Sequence, residues 1–258
     1  MDVRYFDPAK DAIPSDEYSQ FVARYFEPFL KNGIQPYIGN LRIEIRMVLV
    51  GKMLVPISVG HSYVPGNCYV GSVLGVFEYA LDEIGKVPFP IVRGILRHVT
   101  RLCLRISEKC EFEKNVSIGN LLLSTNILPN LDHEAVSCLL DFLIKEFPGH
   151  SYAFRSVNTA NDSGKFLSLV ERIGFFRIIS RQIFTLDRKF LPRYVKLKNI
   201  REDERLIRKW QYIDRPFDPG NAIETRRVVE LYNRLYLEKY STCNPHYTEA
   251  FIAHIAEK

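Results

Sequence analysis

Residues 116–127 read VSIGNLLLSTNI, and residues 131–147 read LDHEAVSCLLDFLIKEF. The first segment is an apolar run that opens on β-branched residues, which predicts a buried strand at Val116–Ile127. The second repeats its apolar residues at three-and-four spacing, which predicts a helix over Leu131–Phe147. The alternation continues with a strand expected at Ser151–Val157, a helix over Asn158–Ile173, a turn on Gly174-Phe175 and a last strand at Phe176–Leu186. Strands that alternate with helices of this length need crossover connections, so the chain reads as α/β, a sheet with helices packed on it.

Working outward, Ser15-Asp16-Glu17 follows Pro14 and predicts a helix start with Ser15 as cap. Tyr18, Phe21, Val22, Tyr25, Phe26 and Phe29 then give that helix an aromatic core face. Leu41–Val59 alternates apolar and polar residues about Gly51-Lys52 and reads as a hairpin, with Pro56 marking an edge or a bulge in the return strand. A polar, aromatic loop follows at His61–Tyr69, then a short helix at Leu74–Ile84 and a basic one at Ile91–Ser107 carrying Arg93, Arg97, Arg101 and Arg105. Beyond the last strand, Asp187–Phe217 is charged and poorly periodic. A helix is expected from Asn221 to Tyr240 and another at Thr248–Ala256, with Asn244-Pro245-His246-Tyr247 between them as a helix stop.

Composition sets outer limits. The chain has 258 residues, 47% hydrophobic and 25% charged, with a net charge of +5. No apolar run reaches the ~18 residues that a membrane span needs, and Met1–Asp7 has no secretory pattern, so a cytoplasmic protein without a transmembrane segment is expected. The five cysteines are odd in number, widely spread and without a C-x-x-C pair, which predicts buried free thiols and no metal site. Cations cluster between Arg188 and Lys209, but Glu202, Asp203 and Glu204 interrupt them. The run is read as a solvated face, and no nucleic-acid partner is expected.

The order helix, hairpin, helix, strand, helix, strand, helix, strand over residues 15–187 resembles the GNAT (general N-acetyltransferase) superfamily. The likeness is most specific at Asn158–Phe175, where a strand ends in asparagine, a helix follows and the chain turns on Gly-Phe. It implies a mixed, splayed central sheet flanked by helices over residues 1–187, with residues 188–258 as a charged linker and C-terminal helical extension. It also implies transfer of an acyl or aminoacyl group from a small-molecule donor to an amine acceptor. Acyl-CoA or another acyl thioester would be the co-substrate, and no cofactor would be held permanently. In that family the pantetheine arm inserts beside the central strand. On that analogy Ser124, Thr125 and Asn126 would bind it, and Asn158 would stand at the mouth as a catalytic residue.

Two positions depart from the family pattern. The phosphate-binding turn is replaced by Asn130–Val136, which has no glycine and carries Asp132 and Glu134. The tyrosine four residues before Gly-Phe is Val170. The chain also resembles a Fem-type, two-lobed relative, of which it would hold the first lobe and the opening helices of the second. Otherwise the tail packs back on the first domain, or on a second subunit to form a homodimer through its C-terminal helices. A catalytically inert binding or assembly module using those helices is the alternative reading.

Among residues outside the resemblance, the His61–Tyr69 loop is the strongest substrate candidate. His61 carries an imidazole that suits a general base, while Tyr63, Asn67 and Tyr69 can orient a polar acceptor. The plainer reading makes Pro65-Gly66-Asn67 a turn and the tyrosines core cover.

Overall fold

Residues 44–60 form the hairpin that the alternation predicts. Strands β2 (Glu44–Val50) and β3 (Met53–Gly60) pair antiparallel, and Gly51 at φ +58° supplies the left-handed first position of the tight turn. β1 (Val3–Tyr5) pairs antiparallel with β2 and β4 (Asn115–Ile118) antiparallel with β3, while β5 (Ser151–Phe154) runs parallel to β4. The sheet order is β1-β2-β3-β4-β5. The computed structural model describes residues 1–159, 164–179, 185–213 and 215–256. It divides into a first unit, Met1–Val157 with Asp218–Lys258, and a second, Asn158–Phe217.

In the first unit both sheet faces are covered. Helix α1 (Glu17–Asn32) lays Val22, Tyr25, Phe26 and Phe29 against Met47, Leu49 and Leu54 in one buried cluster. Its cap is Asp16 rather than Ser15, because the Asp16 carboxylate reaches Ser19 N at 2.9 Å. Ser19, fully buried, accepts from Leu54 N at 2.8 Å and ties α1 to β3. Helices α2 (Gly75–Gly85) and α3 (Pro90–Lys109) form a helical pair between β3 and β4. Helix α4 (His133–Glu146) packs over β1 and β2, where Tyr5 meets Phe142 edge-on at 5.1 Å.

The strand expected at Val116–Ile127 is four residues long. Pro56 is the physical reason. Gly119 N donates to Pro56 O at 2.8 Å, but proline has no N–H to return the bond, so the ladder ends there. Pro56 thus marks a ladder end and not a sheet edge. Gly119, at φ +67°, turns the chain out of the sheet, and residues 119–127 form a loop. β5 likewise stops at Phe154, short of the expected Val157, and Ser156 has φ +65°.

In the second unit, α5 (Lys165–Ile173) starts after Gly164, while residues 160–163 of the expected helix lie outside the described residues. Gly174, at φ +113°, ends it: Gly174 N bonds Glu171 O and Phe175 N bonds Val170 O, the paired bonds of a glycine-terminated helix. The described parts of the expected strand Phe176–Leu186 are not strand, and residues 180–184 lie outside the description. The segment expected to be poorly periodic holds a 3₁₀ turn (Arg188–Phe190), α6 (Leu191–Tyr194) and α7 (Lys198–Trp210).

The tail from Asp218 belongs to the first unit. Helix α8 (Ala222–Tyr232), capped by Asn221, passes into a π-helical turn at Asn233–Glu238 and stops before Tyr240. Asn244-Pro245-His246-Tyr247 is a clasp and not a helix stop. Asn40 Nδ2 donates to Asn244 O at 2.9 Å, His246 N donates to Asn40 Oδ1 at 2.8 Å, and Tyr247 bridges to Ile38. Helix α9 (Glu249–Ala256) then seats Phe251 on the Tyr247 ring at 4.2 Å, and His254 Nε2 bonds Tyr25 O at 2.9 Å, closing α1's aromatic face.

Candidate functional site

The parallel strands β4 and β5 pair over four residues, Asn115–Ile118 with Ser151–Phe154, so their carboxyl ends lie beside each other. In open α/β sheets, ligands bind at such ends. Four side chains meet there. Asn120, just past β4, is 1% exposed; its Nδ2 donates to Ser58 Oγ at 2.7 Å and Val70 O at 3.0 Å, and its Oδ1 accepts from Leu122 N at 3.0 Å. Arg155, just past β5, donates to Val70 O and reaches Tyr69 O at 3.5 Å. Tyr69 and Ser124 share a hydroxyl hydrogen bond of 2.6 Å. Cys68 lies fully buried beside them, and burial pushes its thiol up to about 12, so it is no nucleophile at neutral pH.

Of the residues singled out from sequence, the fold brings Tyr69 and Ser124 together. Thr125 is an exposed neighbour. Asn126 is 1% exposed; its Oδ1 accepts from Leu121 N at 3.1 Å, while its Nδ2 is buried without a partner. Tyr63 and Asn67 hold the loop itself. Tyr63 Oη donates to Glu78 Oε1 at 2.7 Å, and Gly66 N donates to Glu78 Oε2 at 2.8 Å. Asn67, buried, exchanges both amide bonds with the Arg42 backbone at 2.8 and 2.9 Å, as a second strand would. Asn158 opens the second unit.

His61 stands at the other end of the strands. Gly60 pairs with Asn115, the first residue of β4, whereas Asn120 and Arg155 follow the last residues of β4 and β5. There His61 Nε2 bonds Glu44 Oε2 at 2.7 Å, and its ring meets the His150 ring at 5.5 Å. Burial pushes the Glu44 carboxyl up, but bonds from His61 and Arg46 outweigh it and hold it below its usual value. Arg46 lies over the rings of Tyr5 and Phe147.

Sequence reasoning missed Asn120 and Arg155, whose partners lie tens of residues away, and Glu78 and Glu113. Glu113 is 4% exposed, and its carboxylate accepts from Leu74 N at 2.9 Å, holding the turn into α2. Burial is the main cause that raises its affinity for a proton. The folded state thus binds this proton more tightly than the unfolded chain. The stability it confers is complete below the ordinary glutamate range and is lost as pH rises through the raised folded value. Glu113→Gln keeps the acceptor and removes the charge. It is expected to raise the neutral-pH Tm and flatten the Tm–pH curve over that window, and a lower Tm at pH 7 would refute the assignment.

Among the described residues, no group of three or more His, Cys, Asp or Glu side chains is placed to hold a metal ion. Cys68 and Cys243 are buried as expected, but Cys103 and Cys110 are exposed and Cys138 is half-buried. An open cleft of about 570 Å³ lies elsewhere in the first unit, between Pro36–Gly39 and the α8–α9 segment. The buried amides of Asn120 and Asn126 lie instead at the β4–β5 end. No protein-family model matches the chain, and no curated protein or solved structure shows a significant match to it. The class defined by the fold is a mixed α/β protein with an open five-stranded sheet.

Proposed function

We propose that the first unit is an acyltransferase-like domain that moves an acyl or aminoacyl group onto an amine at the carboxyl ends of β4 and β5. The observation that carries this reading is the parallel β4–β5 pair, set in an otherwise antiparallel sheet, whose ladder stops after four residues. An extended acyl-pantetheine arm would continue the strand pairing past Ile118 and Phe154. The Tyr69–Ser124 pair then faces the amine, and the Arg155 guanidinium places positive charge where the carbonyl oxygen gains negative charge. The orphan Nδ2 of Asn126 is a further donor in the same loop. His61 is the sequence-based choice of base. Its position at the amino ends of the strands favours Tyr69 and Ser124 for the acceptor side.

The start of α4 bears on the donor. A phosphate would need the bare N–H groups of that first turn. Instead the Asp132 carboxylate accepts from Ala135 N at 2.8 Å, and Glu134 stands two residues on in the first turn, accepting from the Met1 ammonium at 3.2 Å. The nucleotide half of coenzyme A therefore gains nothing here. In isothermal titration, an acyl-pantetheine and the matching acyl-CoA are expected to bind within about three-fold of each other. A gap beyond about thirty-fold in favour of acyl-CoA would place a phosphate site where the reading denies one. Absence of binding by acyl-CoA, acyl-pantetheine and acyl carrier protein alike would remove the thioester reading. It would leave the inert binding module, which the closed α4 terminus also favours.

A further inference from the structure

Helix α3 (Pro90–Lys109) turns its apolar side away from the rest of the first unit. At ~100° per residue, Ile91, Ile95, Leu96, Val99, Leu102 and Ile106 fall within an arc of about 140°. These six side chains are between 39% and 80% exposed. The helix rests on α2 through a different side, where Arg93, Thr100 and Leu104 are half-buried and Ser107 is buried. That contact side lies about 120° round the axis from the middle of the apolar arc. The exposed stripe runs the whole helix, about 30 Å. Phe89 before it and Phe112 after it are also exposed, at 66% and 55%.

Charge selects what covers this stripe. Arg93, Arg97, Arg101, Arg105 and Lys109 stand against the single carboxylate Glu108, so the helix carries a net +4. A second copy would set two such helices side by side with no carboxylate on the flanks to pair them, since the stripe is bordered by His98 and Arg105 on one edge and Thr100 and Ser107 on the other. A bilayer bearing anionic headgroups meets both features at once, taking the apolar arc into the acyl boundary with Arg105 and Lys109, at its edge, by the phosphates and the remaining arginines adding long-range attraction.

We infer that α3 is a membrane-surface helix that seats the protein on an anionic bilayer, lying in the plane of the interface. The helix enters one leaflet only, because no helix among the described residues is long and apolar enough to cross. The docking does not depend on the acyltransferase reading. It would hold equally for an inert module.

Vesicle co-sedimentation of the full chain tests it, using phosphatidylcholine alone and phosphatidylcholine with about one-third phosphatidylglycerol at ~100 mM salt. Strong binding to the anionic vesicles is expected, falling steeply as salt rises. Arg105→Gln with Lys109→Gln, the two cations at the edge of the apolar arc, is expected to weaken it on the order of twenty-fold, at about five-fold per cation. Ile95→Glu with Leu102→Glu changes only exposed side chains and is expected to abolish binding with the circular dichroism spectrum unchanged. Anionic-vesicle binding that survives this second variant would overturn the proposal. So would failure to bind any vesicle, particularly if the wild type elutes as a dimer that Ile95→Glu with Leu102→Glu splits, since the cover would then be a second copy.

Discussion

Replacing Phe251 by alanine is expected to destabilise the protein by about 3–5 kcal/mol, the usual cost of emptying a buried phenylalanine site. Phe251 is 2% exposed, stacks on Tyr247, and lies 6.3 Å from the Phe29 ring across the α1–α9 interface. Removing it opens a cavity walled by rigid rings, which relax little. Thermal unfolding should show a Tm lower by roughly 10 °C, at two to four degrees per kcal/mol for a chain of this size. A loss under about 1 kcal/mol by urea titration would mean that α9 is only loosely applied and that α1 keeps its own core without it.

The second large effect is expected at Asn120. Alanine there removes the donor to Ser58 Oγ and Val70 O and the acceptor for Leu122 N, all in a site closed to water. Leaving several buried polar groups without partners costs about 3 kcal/mol or more. Thr125→Ala, in the same loop but exposed, is the control and should fall within ~0.5 kcal/mol of wild type. The proposed function adds a second readout. At a temperature where the Asn120 variant remains folded, its acyl-thioester affinity should drop, because Val70 and Arg155 lose the side chain that sets their positions. Equal destabilisation by both variants would show that Asn120 is no special anchor.

Local patterns in the sequence were enough to place α1, the β2–β3 hairpin, α2 and α3, since each depends on periodicity within a few residues. The apolar run Val116–Ile127 gives only a four-residue strand because its length is decided by a proline sixty residues earlier, at Pro56. No window around residue 120 contains that information. The candidate site is legible to the same extent. Tyr69 and Ser124 stand out as polar residues next to apolar runs, and the fold joins them. Asn120 and Arg155 look like ordinary loop residues until Val70 is brought between them. Tyr63 and Asn67 illustrate the converse. Residue types suited to binding a substrate here bind their own chain, through Glu78 and the Arg42 backbone.

The clasp of Asn40 on Asn244 and His246, with α9 behind it, has a consequence for how the protein is made. The aromatic face of α1 is complete within the first thirty or so residues, yet Phe251 and His254 are translated some 220 residues later. At ribosomal speeds of ~5–20 residues per second, that face waits roughly ten to forty seconds for the last of its cover. During synthesis, β2 and β3 cover part of that face soon after it emerges, while the Tyr25 and Phe29 side stays without the rings of α9 until the end. Residues 218–256 thus act as a closing latch, and a ribosome stalled before them would release a chain with its aromatic core open to chaperones and to other chains.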